Sequence, residues 1–210
     1  MTSIIILTTA FLAALFFKLT KTENNKLYKI ALYTHLALTG LTIVTLFLIL
    51  KTSFSFAGFM TDKLFVIFFL ATGMLLFGLF RRNQKLLRAY FACFFLSPLL
   101  LVLGLFIPPL QFITAVAGLG LLLDGEHHRY PVDETYSIQT SRIGVLASGP
   151  TFSLVENKYL LFEKNTDILE GIGTPKSLQI EKVGADSVRL DILSSEIVNE
   201  RLDTTISLKR

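Results

Sequence analysis

The sequence predicts a membrane α-helical bundle of five spans, or of four spans plus a re-entrant segment, followed by a small C-terminal all-β soluble domain. The chain is 52% hydrophobic and only 17% charged, whereas a soluble domain is roughly a quarter charged. The charge is divided unevenly along the chain. Residues 1–123 carry 10 Lys+Arg and 2 Asp+Glu, a net charge of +8, whereas residues 124–210 carry 10 Lys+Arg and 14 Asp+Glu, a net charge of −4. Beyond residue 135 the long apolar runs give way to alternation of apolar and polar residues, the pattern of strands.

Five apolar runs define a transmembrane domain over residues 1–125. They cover residues 2–17, 30–50, 64–80, 89–107 and 110–123. A helix needs about 20 residues to cross the hydrocarbon core. The first four runs approach that length, whereas the fifth, of 14 residues, permits either a crossing or a re-entrant segment. Pro108 and Pro109 interrupt the chain between runs four and five and predict a tight hairpin there. The first run lacks a basic flank and a cleavage site, which indicates an uncleaved span.

The distribution of Lys and Arg predicts the orientation. The segments Lys18–Lys29 and Arg81–Arg88 each hold four basic residues, whereas Lys51–Lys63 holds two. The positive-inside rule therefore places the first two segments in the cytoplasm and the N-terminus outside. If the fifth run crosses, which we favour, the C-terminal domain is cytoplasmic. The expected location is a bacterial cytoplasmic (inner) membrane.

A polar connector at residues 126–134 precedes a small antiparallel β domain at residues 135–210. Alternation such as that of Val188, Leu190 and Ile192 predicts five to seven short strands. Asn157-Lys158 and Gly184-Ala185-Asp186 are typical of tight turns between strands. Residues 194–201 are predicted to form a helical turn.

Three histidines are weak candidates for binding a cofactor. His35 lies in the second span, and His127 and His128 follow the fifth run. Neutral imidazole can bind a metal or haem iron. No ligand spacing accompanies them, so we predict no cofactor, no metal site and no catalytic residue. The favoured interpretation is that His35 hydrogen bonds a neighbouring helix and that His127 and His128 anchor the chain at the membrane interface.

Two sets of residues are candidates for contact with a partner. Phe54, Phe56 and Phe59 lie in the segment between spans two and three, where they could contact the membrane interface or another protein. Gly73 and Gly118 lie in spans three and five, and small residues let helices approach closely. Packing within the bundle is the alternative for both glycines.

These features predict a non-catalytic accessory or assembly subunit of a larger membrane complex, which presents its β domain at one membrane face. The expected partners are the lipid bilayer and a membrane protein or a second copy of the chain. A nucleic-acid partner is not expected, because basic clusters interleaved with aromatic residues are absent from the C-terminal half. The alternative is a membrane-embedded redox, metal-binding or lipid-binding protein that uses His35, His127 and His128. The third possibility is a small passive transporter or pore. A proton-coupled pump is disfavoured, because the spans carry no charged residue.

Overall fold

The computed structural model describes residues 2–21, 24–58, 60–80, 85–122, 126–142, 151–158, 161–169, 175–184, 187–194 and 201–208. Within these ranges the chain forms five helices and eight strands. The helices are α1 (Thr2–Thr20), α2 (Asn25–Lys51), α3 (Thr61–Leu79), α4 (Lys85–Gly104) and α5 (Pro108–Leu122). The strands are β1 (Phe54–Phe56), β2 (Glu126–Pro131), β3 (Tyr136–Arg142), β4 (Thr151–Asn157), β5 (Phe162–Leu169), β6 (Pro175–Lys182), β7 (Ser187–Ser194) and β8 (Arg201–Ser207).

Four of the helices, α1 to α4, are long and apolar enough to cross a membrane. The fifth, α5, is apolar but has only 15 residues. The chain divides into two compact units. The helical unit comprises Met1–Phe47 and Met60–Asp124, and the β unit comprises Leu48–Phe59 and Gly125–Arg210. The predicted apolar helices and the C-terminal antiparallel β region are confirmed.

In the helical unit, α1 and α3 approach each other backbone to backbone. Ala10 and Ala14 of α1 pack against Ala71 and Met74 of α3. A Cβ atom added to Gly78 would lie 2.4 Å from the carbonyl oxygen of Ala14, so a larger residue would force the two helices apart. A second cluster joins α2, α3 and α4; its buried members are Ala31, Leu76, Leu79, Phe80 and Phe91.

The β unit consists of two antiparallel sheets that share one core. The larger sheet has the strand order β1-β5-β4-β3-β2, and the smaller has the order β6-β7-β8. Alternation places one set of apolar side chains from each sheet in the core between them. The buried members are Ile138, Phe152 and Leu154 from the larger sheet, Val188, Leu190 and Ile192 from β7, and Leu208, which follows β8.

Two segments that the sequence analysis did not assign to strands belong to the larger sheet. Much of the predicted connector at residues 126–134 is β2, which pairs antiparallel with β3. The segment between α2 and α3 contributes β1, which pairs with β5. β1 and β2 therefore lie in one sheet although α3, α4 and α5 separate them in the chain.

The hairpin predictions are confirmed at one turn and differ at the other. Gly184, with φ +76°, lies between β6 and β7, where its left-handed conformation suits glycine. At the other turn, β4 ends at Asn157 but β5 begins only at Phe162, so the connection is longer than predicted. The predicted helical turn falls largely on residues 195–200, which lie outside the described residues, and β8 begins at Arg201.

Candidate functional site

The segment between α2 and α3 is an edge strand of the larger sheet. Ser55 lies opposite Glu163 in the register of β1 and β5. Just before β1, the carbonyl oxygen of Ser53 accepts a hydrogen bond of 2.9 Å from the backbone N–H of Asn165. The side-chain amide of Asn165 donates to the hydroxyl of Ser55 at 2.7 Å, and the rings of Phe56 and Phe162 lie 5.1 Å apart. Backbone, polar and aromatic contacts therefore all fix this segment on β5.

A buried ion pair beside β1 joins three parts of the β unit. Arg129 of β2 donates two hydrogen bonds of 3.0 Å to the two carboxylate oxygens of Glu163 in β5. The same guanidinium donates to the side-chain carbonyl of Gln139 at 2.6 Å, and the backbone N–H of Gly58 donates to Glu163 at 3.2 Å. The side chain of Glu163 is 3% exposed and that of Arg129 is 28% exposed. One carboxylate thus connects β2, β5 and the chain that follows β1.

This ion pair requires a curled sheet. In the strand order, β5 and β2 are separated by β4 and β3. Three strand spacings in a flat sheet amount to about 14 Å between backbones. The sheet must curve inward for the two side chains to meet. The curvature also explains why Ser153 and Val155, which face away from the core shared with the smaller sheet, are buried.

A second ion pair joins the two sheets at the turn between β2 and β3. Asp133 accepts hydrogen bonds from the backbone N–H groups of Thr135 at 2.9 Å and Tyr136 at 2.8 Å. Lys182 of β6 donates to the same carboxylate at 2.6 Å. The bond from Lys182 and the two backbone N–H groups stabilise the charged form, so the pKa of the Asp133 carboxyl is lowered.

His35 is enclosed by aromatic rings from α3 and α4. It is 1% exposed, and the ring of Phe69 stacks on it at 4.9 Å. The Nδ1 atom lies 3.0 Å from the hydroxyl of Thr72, and the Nε2 atom lies 2.9 Å from the hydroxyl of Tyr90. His35 therefore ties α2 to both neighbouring helices, as the sequence analysis expected of a hydrogen-bonded span residue.

The hydroxyl groups that contact His35 belong to residues anchored on neighbouring helices. The Thr72 hydroxyl, 3.0 Å from Nδ1, also donates to the carbonyl oxygen of Phe68 at 2.8 Å. Both ring nitrogens are engaged in hydrogen bonds. A metal or haem iron would have to displace one of them.

The other two histidines lie in a different unit from His35. His127 and His128 are in β2, in register with Ser141 and Thr140, and His128 is exposed. Among the described residues, no group of three or more His, Cys, Asp or Glu side chains is arranged to hold a metal ion.

The candidate contact residues have varied surroundings. Phe54 and Phe56 belong to β1, and Phe59 lies outside the described residues. A Cβ on Gly73 would lie 2.4 Å from the ring of Phe94, so this glycine lets α4 pack on α3 within the chain. A Cβ on Gly118 would meet nothing within 4 Å. For Gly118, contact with a partner stays a prediction.

A cavity of about 250 Å³ opens between the two sheets, beside β8. Its lining includes Glu156 and Lys164, which lie opposite each other in β4 and β5. Ligand sites are usually larger, at roughly 300–1,000 Å³. Asp167, which accepts a hydrogen bond from the hydroxyl of Ser153 at 2.7 Å, also lines the cavity.

The sequence analysis did not identify the pair of Arg129 and Glu163 or the role of β1. Arg129 follows the two adjacent histidines in the sequence, and neither it nor Glu163 carries a distinguishing pattern. Their meeting depends on the curl of the sheet. Comparisons with protein-family models, with curated proteins and with solved structures gave no match to this chain.

Proposed function

We propose that this protein is an integral membrane protein that presents its β unit at one membrane face, as a non-catalytic accessory or assembly subunit of a larger membrane complex. The observation that carries the proposal is the incorporation of β1 into the larger sheet. It gives the β unit three chain connections to the helices: α2 to β1, β1 to α3, and α5 to β2.

Each connection is short. Two residues separate α2 from β1, four separate β1 from α3, and three separate α5 from β2. A domain on a single flexible linker has one such connection, whereas the β unit has three. Several short connections suit a subunit that presents a surface to another protein, because less entropy is lost when the partner binds.

The surface of the helical unit supports insertion in lipid. Leu36 and Phe47 of α2 are 58% and 60% exposed, and Phe16 of α1 is 59% exposed. Exposed apolar side chains continue along α1, α2, α4 and α5, whereas the solvent faces of soluble helices are polar. Lipid chains are the solvent that such a surface fits.

The test is purification of the full chain from native membranes in a mild detergent, followed by mass spectrometry. We expect one membrane protein to accompany the chain in fixed stoichiometry. A photo-crosslinker at Gln179 or at Thr205, two exposed positions of the smaller sheet, should join the chain to that same protein. Recovery of the chain alone, with no crosslink from either position, would overturn the proposal.

A variant tests the role of β1 directly. The bonds at Ser53 and Ala57 place Ser55 at a hydrogen-bonded position of the ladder. Ser55→Pro removes a backbone donor there and should reduce recovery of the partner. Gly40→Ala is the matched control, because a Cβ at Gly40 meets nothing within 4 Å. Equal recovery of the partner with both variants would exclude a role for β1 in presentation.

The redox or metal-binding alternative gains no support from the geometry, because both ring nitrogens of His35 are hydrogen bonded. Visible absorption and metal analysis of the purified protein test this alternative. Ion or solute flux into liposomes that contain the protein alone tests the third possibility, a small passive transporter or pore.

A further inference from the structure

The chain between β1 and β2 contains α3, α4 and α5. Both strands belong to the larger sheet, because β1 pairs with β5 and β2 pairs with β3. A folded sheet occupies one side of a bilayer. A chain that leaves β1 and returns at β2 must therefore cross an even number of times. Three helices cannot all be crossings.

The helix that does not cross is identified by length. α3 has 19 residues and α4 has 20. α5 has 15 residues, so it spans about 22 Å at 1.5 Å per residue. The hydrocarbon core is about 30 Å thick. Crossings by α3 and α4 satisfy the even count and leave α5 on the side of the β unit.

We infer that α5 is a membrane-surface anchor, embedded in the lipid leaflet that faces the β unit. This inference rests on the proposed function, in which α1 to α4 cross the bilayer. It concerns a lipid-binding surface rather than a partner protein.

The side chains of α5 fit this environment. Its described residues include no charged side chain. Phe112, Ile113 and Val116 are 75%, 62% and 48% exposed. The polar hydroxyl of Thr114 donates to the carbonyl oxygen of Leu110 at 2.8 Å and is thereby satisfied within the helix. Apart from Gln111 and Thr114 the side chains of this helix are apolar. Such a helix requires a lipid or protein environment, and chain connectivity places it at the boundary of the bilayer.

The even number of crossings also assigns the side of the membrane on which the β unit lies. The basic segments near Lys26 and Lys85 flank α2 and α4 at the ends away from β1 and β2. The positive-inside rule puts these segments in the cytoplasm. The N-terminus and the β unit are then both outside. This replaces the expectation, based on a crossing fifth run, that the β unit is cytoplasmic.

Cysteine labelling of the full chain in a Cys93→Ala background tests the side. With a maleimide that cannot cross membranes, Thr205→Cys should react in intact cells, and Lys26→Cys should react only after permeabilisation. Reaction of Thr205→Cys only after permeabilisation would overturn the inference. Both substituted positions are exposed, so loss of fold is not expected.

Spin labels test the depth of α5. The chain is placed in phosphatidylcholine–phosphatidylglycerol vesicles, with labels at Phe112→Cys, Val116→Cys or Leu36→Cys. Accessibility to oxygen and to a water-soluble nickel complex reports depth. Leu36→Cys lies six residues beyond the start of the apolar run at Ile30, so it should be inside the hydrocarbon core at a depth of about 9 Å. Phe112→Cys and Val116→Cys should both lie near the headgroups.

The outcomes separate the two proposals. A label on α5 at the bilayer centre would overturn the inference, as would labels shielded from both reagents, which would show a protein partner on α5. If Leu36→Cys is itself exposed to water, the proposed membrane location fails first. Labels on α5 near the headgroups, together with a Leu36 label inside the hydrocarbon core, support both proposals.

Discussion

Replacing Glu163 by Gln keeps the size of the side chain but removes the negative charge of the carboxylate, which accepts two hydrogen bonds from Arg129. The glutamate is 3% exposed and the arginine 28% exposed. Removing one partner of a fully buried pair costs about 3–5 kcal/mol, largely because the remaining charge is left desolvated. Water reaches part of Arg129, so we expect a smaller loss for Glu163→Gln, of about 2–3 kcal/mol.

The reverse substitution should cost more. Arg129→Met leaves the carboxylate of Glu163 buried without its guanidinium partner, and we expect the full loss of about 3–5 kcal/mol. The double variant Arg129→Met/Glu163→Met leaves no unpaired charge. It should therefore be more stable than Arg129→Met alone, because apolar replacement of a buried pair is often neutral.

The assay is thermal unfolding of the full chain in detergent, read by proteolysis and mass spectrometry of peptides from residues 126–208. For a unit of about 100 residues, a loss of 2–3 kcal/mol lowers Tm by roughly 10–20 °C. Peptides from α1 and α3 serve as an internal control. A change in Tm below about 3 °C for both single variants, or a double variant whose loss equals the sum of the two, would refute the reasoning.

Three further predictions concern other contacts. Gly78→Ala should destabilise the helical unit by about 1–3 kcal/mol, because the added Cβ would meet the backbone of Ala14. Gly40→Ala should not destabilise this unit, since a Cβ at that position meets nothing within 4 Å. Thermal unfolding of both variants in detergent tests the difference. Tyr90→Phe removes the hydroxyl that lies 2.9 Å from Nε2 of His35 and should cost about 1–2 kcal/mol in the same assay. Asp133→Asn should cost at most about 1 kcal/mol, because the pair with Lys182 is partly exposed. Since the folded pKa of this carboxyl is lowered from 3.8, its contribution is present above that value and lost as the pH falls through the folded pKa. The difference in Tm between Asp133→Asn and the unmodified protein should therefore shrink below about pH 4, and persistence of the full difference at pH 2 would contradict this.

The sequence predicted elements whose signal is local. Apolar runs of near-spanning length identified α1 to α4, and alternation at Val188, Leu190 and Ile192 identified β7. In each case the hydrophobic period follows from the element's own geometry. The environment of His35 was also foreseeable, because a polar ring in a span requires hydrogen-bonding partners.

The parts that were missed depend on partners far away in the sequence. β1 has only three residues, Phe54–Phe56, which are too few to show a strand pattern. It is a strand only because it pairs with β5. β2 begins Glu-His-His-Arg-Tyr, which shows no alternation of apolar and polar residues. The meeting of Arg129 and Glu163 depends on sheet curvature, which no local pattern encodes.

The pairing of β1 with β5 also imposes an order on biosynthesis. During synthesis Ser55 of β1 cannot pair until Glu163 of β5, which lies 108 positions later in the chain (163 − 55), has been made. At synthesis rates of about 5–20 residues per second, that delay is roughly 5–20 s. During it α3, α4 and α5 emerge, while Phe54 and Phe56 have no strand to cover them. A chain that stops before β5 therefore displays an unpaired aromatic segment, which a chaperone or a quality-control protease can recognise as unfinished.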